Sequence, residues 1–178
     1  MERDIKDILL SEEDITNKIK ELGEKITEDY QNEELILIGV LKGANVFMSD
    51  LMRKINKPIE IDFISVSSYG SSTESSGVVR ILKDLDSEIE GKNVIIVEDI
   101  IDSGLTLNYL IQNFKARMPK SVKICTLLDK PERRKIDIKI DYKGFVIPDE
   151  FIVGYGIDYA EGYRNLPYVA TLKEEVYS

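Results

Sequence analysis

The chain has 178 residues, 43% hydrophobic and 32% charged, which excludes a disordered or fibrous protein and is enough to bury a core in one domain. Its formal net charge is −9, and no lysine- or arginine-rich face stands out, the cluster Lys130–Lys135 being short and interrupted; nucleic-acid binding is therefore not expected as the main task. Histidine is absent, which removes Ser-His-Asp and Cys-His mechanisms and histidine metal sites, leaves acid–base work to carboxylates, lysine or tyrosine, and favours oxygen-held Mg²⁺ or Mn²⁺ for any metal. The one cysteine, Cys125, excludes an internal disulfide and fits a reducing compartment. Apolar runs such as Leu35–Val40 are far too short to cross a bilayer, and Met1-Glu2-Arg3-Asp4 has no signal-peptide layout, so a cytoplasmic protein without a membrane partner is expected.

Ser11 followed by Asp14 reads as a capped helix start. Ile15, Ile19, Leu22, Ile26 and Tyr30 then recur at helical spacing, which predicts an amphipathic helix over residues 12–30. Leu35–Val40 suits a buried strand, Lys42-Gly43 a turn, and Val46, Phe47, Leu51 and Ile55 a second helix ending before Pro58. Ile59–Val66 reads as a strand, residues 67–77 as a long polar loop, and Val78–Leu82 as extended again. Asn93–Val97 predicts a buried strand, followed by an acidic loop and a helix over about Leu105–Arg117. Ser121–Leu128 is the next strand. The alternation of Ile136, Ile138, Ile140 and Tyr142 predicts a half-exposed one, and Phe151–Val153 and Tyr168–Leu172 complete the set. Strands alternating with helices imply an α/β fold with a mainly parallel central sheet, and such sheets bind ligands beyond the carboxyl ends of their strands. The loops at 41–43, 98–106, 129–131 and 154–164 all follow predicted strands and are candidates to converge.

The segment Val97-Glu98-Asp99-Ile100-Ile101-Asp102-Ser103-Gly104-Leu105-Thr106 carries the most chemistry. A helix start offers free backbone N–H groups and a positive dipole end, which suit a phosphate. Gly104 permits close backbone approach, and Ser103 and Thr106 add hydroxyls. Glu98 and Asp99 would repel that phosphate, so they need another partner; vicinal ribose hydroxyls fit, because an ionised carboxylate only accepts hydrogen bonds. The purely structural alternative is a strand, a polar turn and a helix with Asp102 as its N-cap. There is no G-x-x-x-x-G-K-[ST], and Gly154-Tyr155-Gly156 is followed by tyrosine at 159 where a dinucleotide fingerprint needs glycine.

Val97–Thr106 resembles the phosphoribosyl pyrophosphate signature of type I phosphoribosyltransferases. The wider chain, from Leu41-Lys42-Gly43 through Ser68-Tyr69-Gly70 and Leu128-Asp129-Lys130 to Phe151–Arg164, resembles the bacterial hypoxanthine (hypoxanthine-guanine) branch. Ser103 stands where many relatives carry threonine and keeps the hydroxyl. The resemblance implies one phosphoribosyltransferase domain over residues 1–178, with a small hood formed by terminal segments. It implies transfer of a phosphoribosyl group from phosphoribosyl pyrophosphate to hypoxanthine or guanine, giving IMP or GMP and pyrophosphate. It assigns Lys42, Gly43 and Arg164 to pyrophosphate, Ser68 and Tyr69 to a lid, and Glu98 and Asp99 to the ribose hydroxyls, directly or through metal. Asp102 would take the purine N7 proton, and Ser103, Gly104, Leu105 and Thr106 would cradle the 5′-phosphate. Lys130 would reach the purine 6-oxygen, Phe151 would stack on the base, the Ile152 backbone would touch its edge, and Asp158 would bind Mg²⁺. A homodimer or homotetramer is implied. The competing readings are a transferase for xanthine, adenine or uracil, and a non-catalytic regulator that senses phosphoribosyl pyrophosphate.

Overall fold

The computed structural model describes residues 1–68 and 79–177. In chain order its elements are β1 (Ile5–Leu10), α1 (Glu12–Asp29), β2 (Leu35–Leu41), α2 (Ala44–Met52), β3 (Glu60–Ser68), β4 (Val79–Lys83), β5 (Asn93–Ile101), α3 (Leu105–Lys115), β6 (Ser121–Asp129), β7 (Tyr142–Val146), β8 (Ile152–Val153), β9 (Val169–Leu172) and α4 (Glu174–Tyr177). The expected lid falls largely outside: Ser68 closes β3, but its side chain, Tyr69 and Gly70 lie outside the described residues.

Helix α1 starts where its side chains stop the chain from extending. The Ser11 hydroxyl accepts the Asp14 N–H at 3.1 Å while the Asp14 carboxylate accepts the Ser11 N–H at 3.0 Å, a reciprocal capping box. Its apolar stripe, Ile15, Ile19, Leu22 and Ile26, is buried. Strand β2 is buried on both faces, which is why it reads as an unbroken apolar run. Leu35 and Leu37 enter the core shared with Phe47, Leu51 and Val97, while Ile36, Ile38 and Val40 enter the opposite core with Ile96, Leu110 and Phe114. Helices α1 and α2 thus cover one face of the sheet and α3 the other.

The main sheet has the order β4-β3-β2-β5-β6-β7, parallel throughout except for β4 on the edge. A second, antiparallel sheet, β1-β9-β8, joins residues from the two ends of the chain into the hood. Its first strand has no counterpart in the sequence reading. The strand expected at 136–142 is corrected: residues 136–140 belong to no strand, and β7 begins at Tyr142. Ile136, Ile138 and Ile140 alternate because one side of this extended stretch packs on the α3 core, without a ladder partner. Helix α2 ends at Met52, and Ile55 is buried in the turn beyond it.

Ser11→Ala removes the hydroxyl half of the capping box and should lower stability by about 1 kcal/mol, seen as a fall in thermal midpoint of roughly 2–4 °C. Calorimetry of the two proteins checks this; an unchanged midpoint would show that the cap contributes nothing.

Candidate active site

The β5–β2 ladder ends at Val97 opposite Gly39, whereas β5 stays paired with β6 to Ile101 opposite Asp129. Glu98 and Asp99 therefore belong to the strand and not to a loop, a correction to the expected acidic loop. Glu98 is only 9% exposed. One Asp99 oxygen accepts the Ile100 N–H at 2.8 Å, and the other lies so close to Gly43 that a Cβ there would overlap it. The peptide between Leu41 and Lys42 is cis. Burial, reinforced by neighbouring Asp99, pushes the Glu98 carboxyl well above the usual range. Burial likewise raises Asp99 to about 6, against the lowering effect of backbone N–H groups and Arg164 and with a further push from Asp158.

Beyond β5 the chain turns through Gly104, at φ 83°, which caps α3 without a side-chain bond. Asp102 is therefore not the N-cap. The Ser103 hydroxyl accepts the Leu105 N–H at 3.3 Å. A cavity of about 120 Å³ opens here, lined by Glu98, Asp102, Ser103, Gly104 and Thr106 among others. The first turn of α3 carries no acidic residue, so its helix start can face an anion, while Glu98 and Asp102 line the other part of the cavity. Asp102 is half exposed, yet its Oδ1 is buried and has no hydrogen-bond partner among the described residues. Its Oδ2 lies 3.4 Å from Arg133.

On the β6 side Lys130 is 6% exposed, and its Nζ donates to the Glu150 carbonyl at 2.6 Å. Burial draws this lysine below its ordinary range, although Asp102 and Asp149 pull the other way. Arg133 spans Asp102 and Asp149, 2.8 Å from the latter, and Arg134 donates to the Asp102 carbonyl at 3.0 Å while pairing with Asp129. Through these arginines the β5 and β6 ends are tied to the segment that carries Phe151. The Phe151 ring is 40% exposed, and buried Ile152 opens β8.

The loop 154–164 closes the other side. Gly156 packs on the Gly43 carbonyl, and Arg164 donates to the Gly156 carbonyl at 2.8 Å. Arg164 also pairs with Asp158 at 2.9 Å, Glu161 pairs with Lys42 at 2.9 Å, and Asp158 accepts the Glu161 N–H at 2.9 Å. The Arg164 Nε is buried without a partner among the described residues. Lys42, Gly43, Asp99, Asp158 and Arg164 are thus gathered around one loop contact. No three potential ligand side chains converge into a metal cage among the described residues, so Glu98, Asp99 and Asp158 are not a ready-made triad. An all-oxygen, incomplete donor set nevertheless fits Mg²⁺, which is usually held by one or two carboxylates, water and substrate phosphates.

Three contributors escaped sequence reasoning: Arg133, Arg134 and Glu161. The only signal for the arginines was the basic run after Lys130, weighed as a nucleic-acid patch; Glu161 gave none, because its partners Lys42 and Arg164 are set by the fold.

A parallel sheet whose strand ends bring an acidic pair and a helix-start cavity beside a loop carrying Arg164 belongs to the class of α/β folds that bind phosphorylated ligands at the carboxyl ends of their strands. The sequence model of the phosphoribosyl transferase domain matches residues 6–160, and the chain belongs to that family. It is 58% identical over 177 residues to a hypoxanthine-guanine phosphoribosyltransferase of Bacillus subtilis (strain 168), covering 99% of this chain and 98% of that protein. It is also 53% identical to the bifunctional protein TilS/HprT of Listeria monocytogenes serotype 4b (strain F2365), where the whole chain spans 28% of the relative's length. A solved hypoxanthine phosphoribosyltransferase of Staphylococcus aureus superposes with a TM-score of 0.98 at 55% identity, over 100% of this chain and 97% of that one. No helix among the described residues is long and apolar enough to cross a membrane.

The acidic pair makes a pH-dependent prediction. A carboxyl whose folded pKa is raised is favoured neutral in the fold, so it destabilises increasingly as pH rises from its unfolded value, about 4, through its folded one. For Asp99 that window closes at about 6, and Glu98 is shifted in the same direction by burial and by Asp99. Glu98→Gln should therefore raise the thermal midpoint at pH 7.5, with the gain shrinking towards pH 4. A gain that is constant with pH, or a loss at pH 7.5, would refute the account.

Proposed function

We propose that the protein transfers the 5-phosphoribosyl group from phosphoribosyl pyrophosphate to N9 of hypoxanthine or guanine, giving IMP or GMP and pyrophosphate in purine salvage. One observation carries this reading beyond family membership. Among the described residues, three buried side-chain atoms lack a partner, and two of them, of opposite kind, stand at this site: the acceptor Asp102 Oδ1 and the donor Arg164 Nε; the third is the Tyr30 hydroxyl. Each such atom costs about 1–3 kcal/mol when unpaired. The cost is explained if the substrates complete the pairing, a purine N7–H for Asp102 and a pyrophosphate oxygen for Arg164.

In this mechanism Ser103, Gly104, Leu105 and Thr106 cradle the 5′-phosphate through backbone N–H groups and hydroxyls. Glu98 and Asp99 accept from the ribose hydroxyls. Lys42, Gly43 and Arg164 hold pyrophosphate, Arg164 by its fixed fork of donors. Asp158 would hold Mg²⁺, or Mn²⁺ in its place, and Glu98 and Asp99 would contribute directly or through ribose and water. When bound, the ion supplies charge neutralisation on the leaving group. Phe151 stacks on the purine, the Ile152 backbone meets its edge, and Lys130 offers the 6-oxygen a donor it does not spend on Glu150. As the C1′–pyrophosphate bond breaks, the ribose gains oxocarbenium character, N9 attacks, and Asp102 accepts the N7 proton. The enzyme acts in the cytoplasm as a homodimer or homotetramer, with residues 1–178 forming one domain.

Asp102→Asn keeps the shape and loses the base, so kcat should fall roughly 10²–10⁴-fold with substrate affinity largely retained. Near-wild-type kcat, measured where chemistry limits the rate, removes Asp102 from that role. The test of the whole reading is kcat/KM with Mg²⁺ and phosphoribosyl pyrophosphate against hypoxanthine, guanine, xanthine, adenine and uracil. A lysine donor meets the 6-oxygen of the first two but the 6-amino group of adenine, and a site built around a required hydrogen bond rejects the wrong partner by about 10⁴–10⁵. Adenine should be poorer by several orders of magnitude, and Lys130→Ala should cost 6-oxopurine efficiency far more than phosphoribosyl pyrophosphate binding. Comparable values for adenine and hypoxanthine would refute the 6-oxopurine assignment.

A further inference from the structure

Helix α4 follows β9 after one residue and is anchored to the hood. Val176 packs against the cluster of Val153, Leu166 and Leu172, and the Lys173 N–H donates to the Asp4 carbonyl at 2.9 Å. That anchoring lays the Tyr177 ring on Phe151, with centroids 4.6 Å apart and planes 14° from parallel. Tyr159 meets the same phenylalanine edge-on, at 5.4 Å and 86°. A phenyl ring has two faces. Tyr177 covers one, and 40% of the Phe151 surface is still exposed, which leaves room for a second flat partner. The Phe151 backbone is pinned, its carbonyl accepting the Leu172 N–H at 3.2 Å between the Lys130–Glu150 bond and β8. Only the side-chain torsions remain to be set, and two aromatic neighbours set them.

We propose that Tyr177 is a positioning residue for the nucleobase: it backs Phe151, so that the other face of that ring presents a fixed flat surface and purine, Phe151 and Tyr177 form a three-layer stack. The inference rests on the reading of Phe151 as the base-stacking residue. Without the tyrosine the Phe151 ring would sample other rotamers, and the binding base would have to order it. The loss falls on base affinity. The Tyr177 ring lies on Phe151 and not on a residue assigned to phosphate or pyrophosphate, so binding of phosphoribosyl pyrophosphate should not notice.

The experiment measures KM for hypoxanthine, guanine and phosphoribosyl pyrophosphate, with kcat and thermal midpoint, for the wild-type protein and for Tyr177→Ala, Tyr177→Phe, Tyr177→Leu and Phe151→Leu. Tyr177→Ala should raise both base KM values roughly 2- to 10-fold, the range expected for one aromatic pair, with KM for phosphoribosyl pyrophosphate unchanged. Tyr177→Phe keeps the ring and should restore the wild-type values; Tyr177→Leu keeps apolar bulk without a π face and should restore them only in part, and these two carry the comparison if the alanine variant does not fold. An unchanged base KM in Tyr177→Ala, with a raised one in Phe151→Leu, overturns the backing role and leaves the stacking role standing. A lowered base KM also overturns it, by showing that the tyrosine competes for the ring. An equal rise in KM for phosphoribosyl pyrophosphate would reduce Tyr177 to a general structural part and overturns it too. If Phe151→Leu changes nothing, the stacking reading beneath the proposal fails instead.

Discussion

Strand β5 is held along both edges, but for different lengths, and the site exists because of that difference. Its ladder with β2 stops at Val97, while its ladder with β6 continues to Ile101. The last four residues are therefore rigid on one side and free on the other. Into the free side comes the turn after β2, where Gly43 has no side chain to keep the Asp99 carboxylate away. Because the β2, β5 and β6 strands are parallel, their carboxyl ends meet at one edge, and the residues that follow them share a neighbourhood without any long loop.

The arrangement is costly for the empty protein. Two adjacent carboxyl groups are buried well enough to be pushed upward in pKa, a lysine is buried enough to be pulled down, and an acceptor and a donor go unpaired. The two apolar cores on either side of the main sheet, built by β2 and β5 facing both ways, supply the stability against which these features stand. Unpaired polar groups and shifted carboxyls gathered at one edge of the sheet are the pattern expected of a binding site.

Much of this was legible in the residues. The α1 stripe and its capping box, the continuous apolar run of β2 and the order of strands and helices all follow from local pattern, and all are present. The signature around Asp102 gave the family, and family profile and relatives agree with it. The failures share one cause, dependence on contacts distant in sequence. β1 is half exposed and gains strand character only from β9, more than 150 residues on, roughly the whole length of the chain. Ile136, Ile138 and Ile140 show that period-two burial needs only an extended segment on a core, not a ladder. The alternative of Asp102 as a mere helix cap is removed by a local feature, Gly104 at positive φ, which starts the helix beyond it. Arg133 and Arg134 acquire meaning only when the β6 end is laid beside Asp102 and Asp149.

The hood has its own small core, Val153, Leu166 and Leu172, separate from the two beneath the main sheet. The groups that would read a nucleobase straddle two cores: Phe151 and Ile152 sit at the start of β8, while Lys130 follows β6 on the main sheet. The two parts are not packed apart, because Ile152, Tyr155 and Val169 of the hood side enter the core of the main sheet. A lineage that changed which ring system it welcomes would therefore have to alter residues on both sides of that seam together.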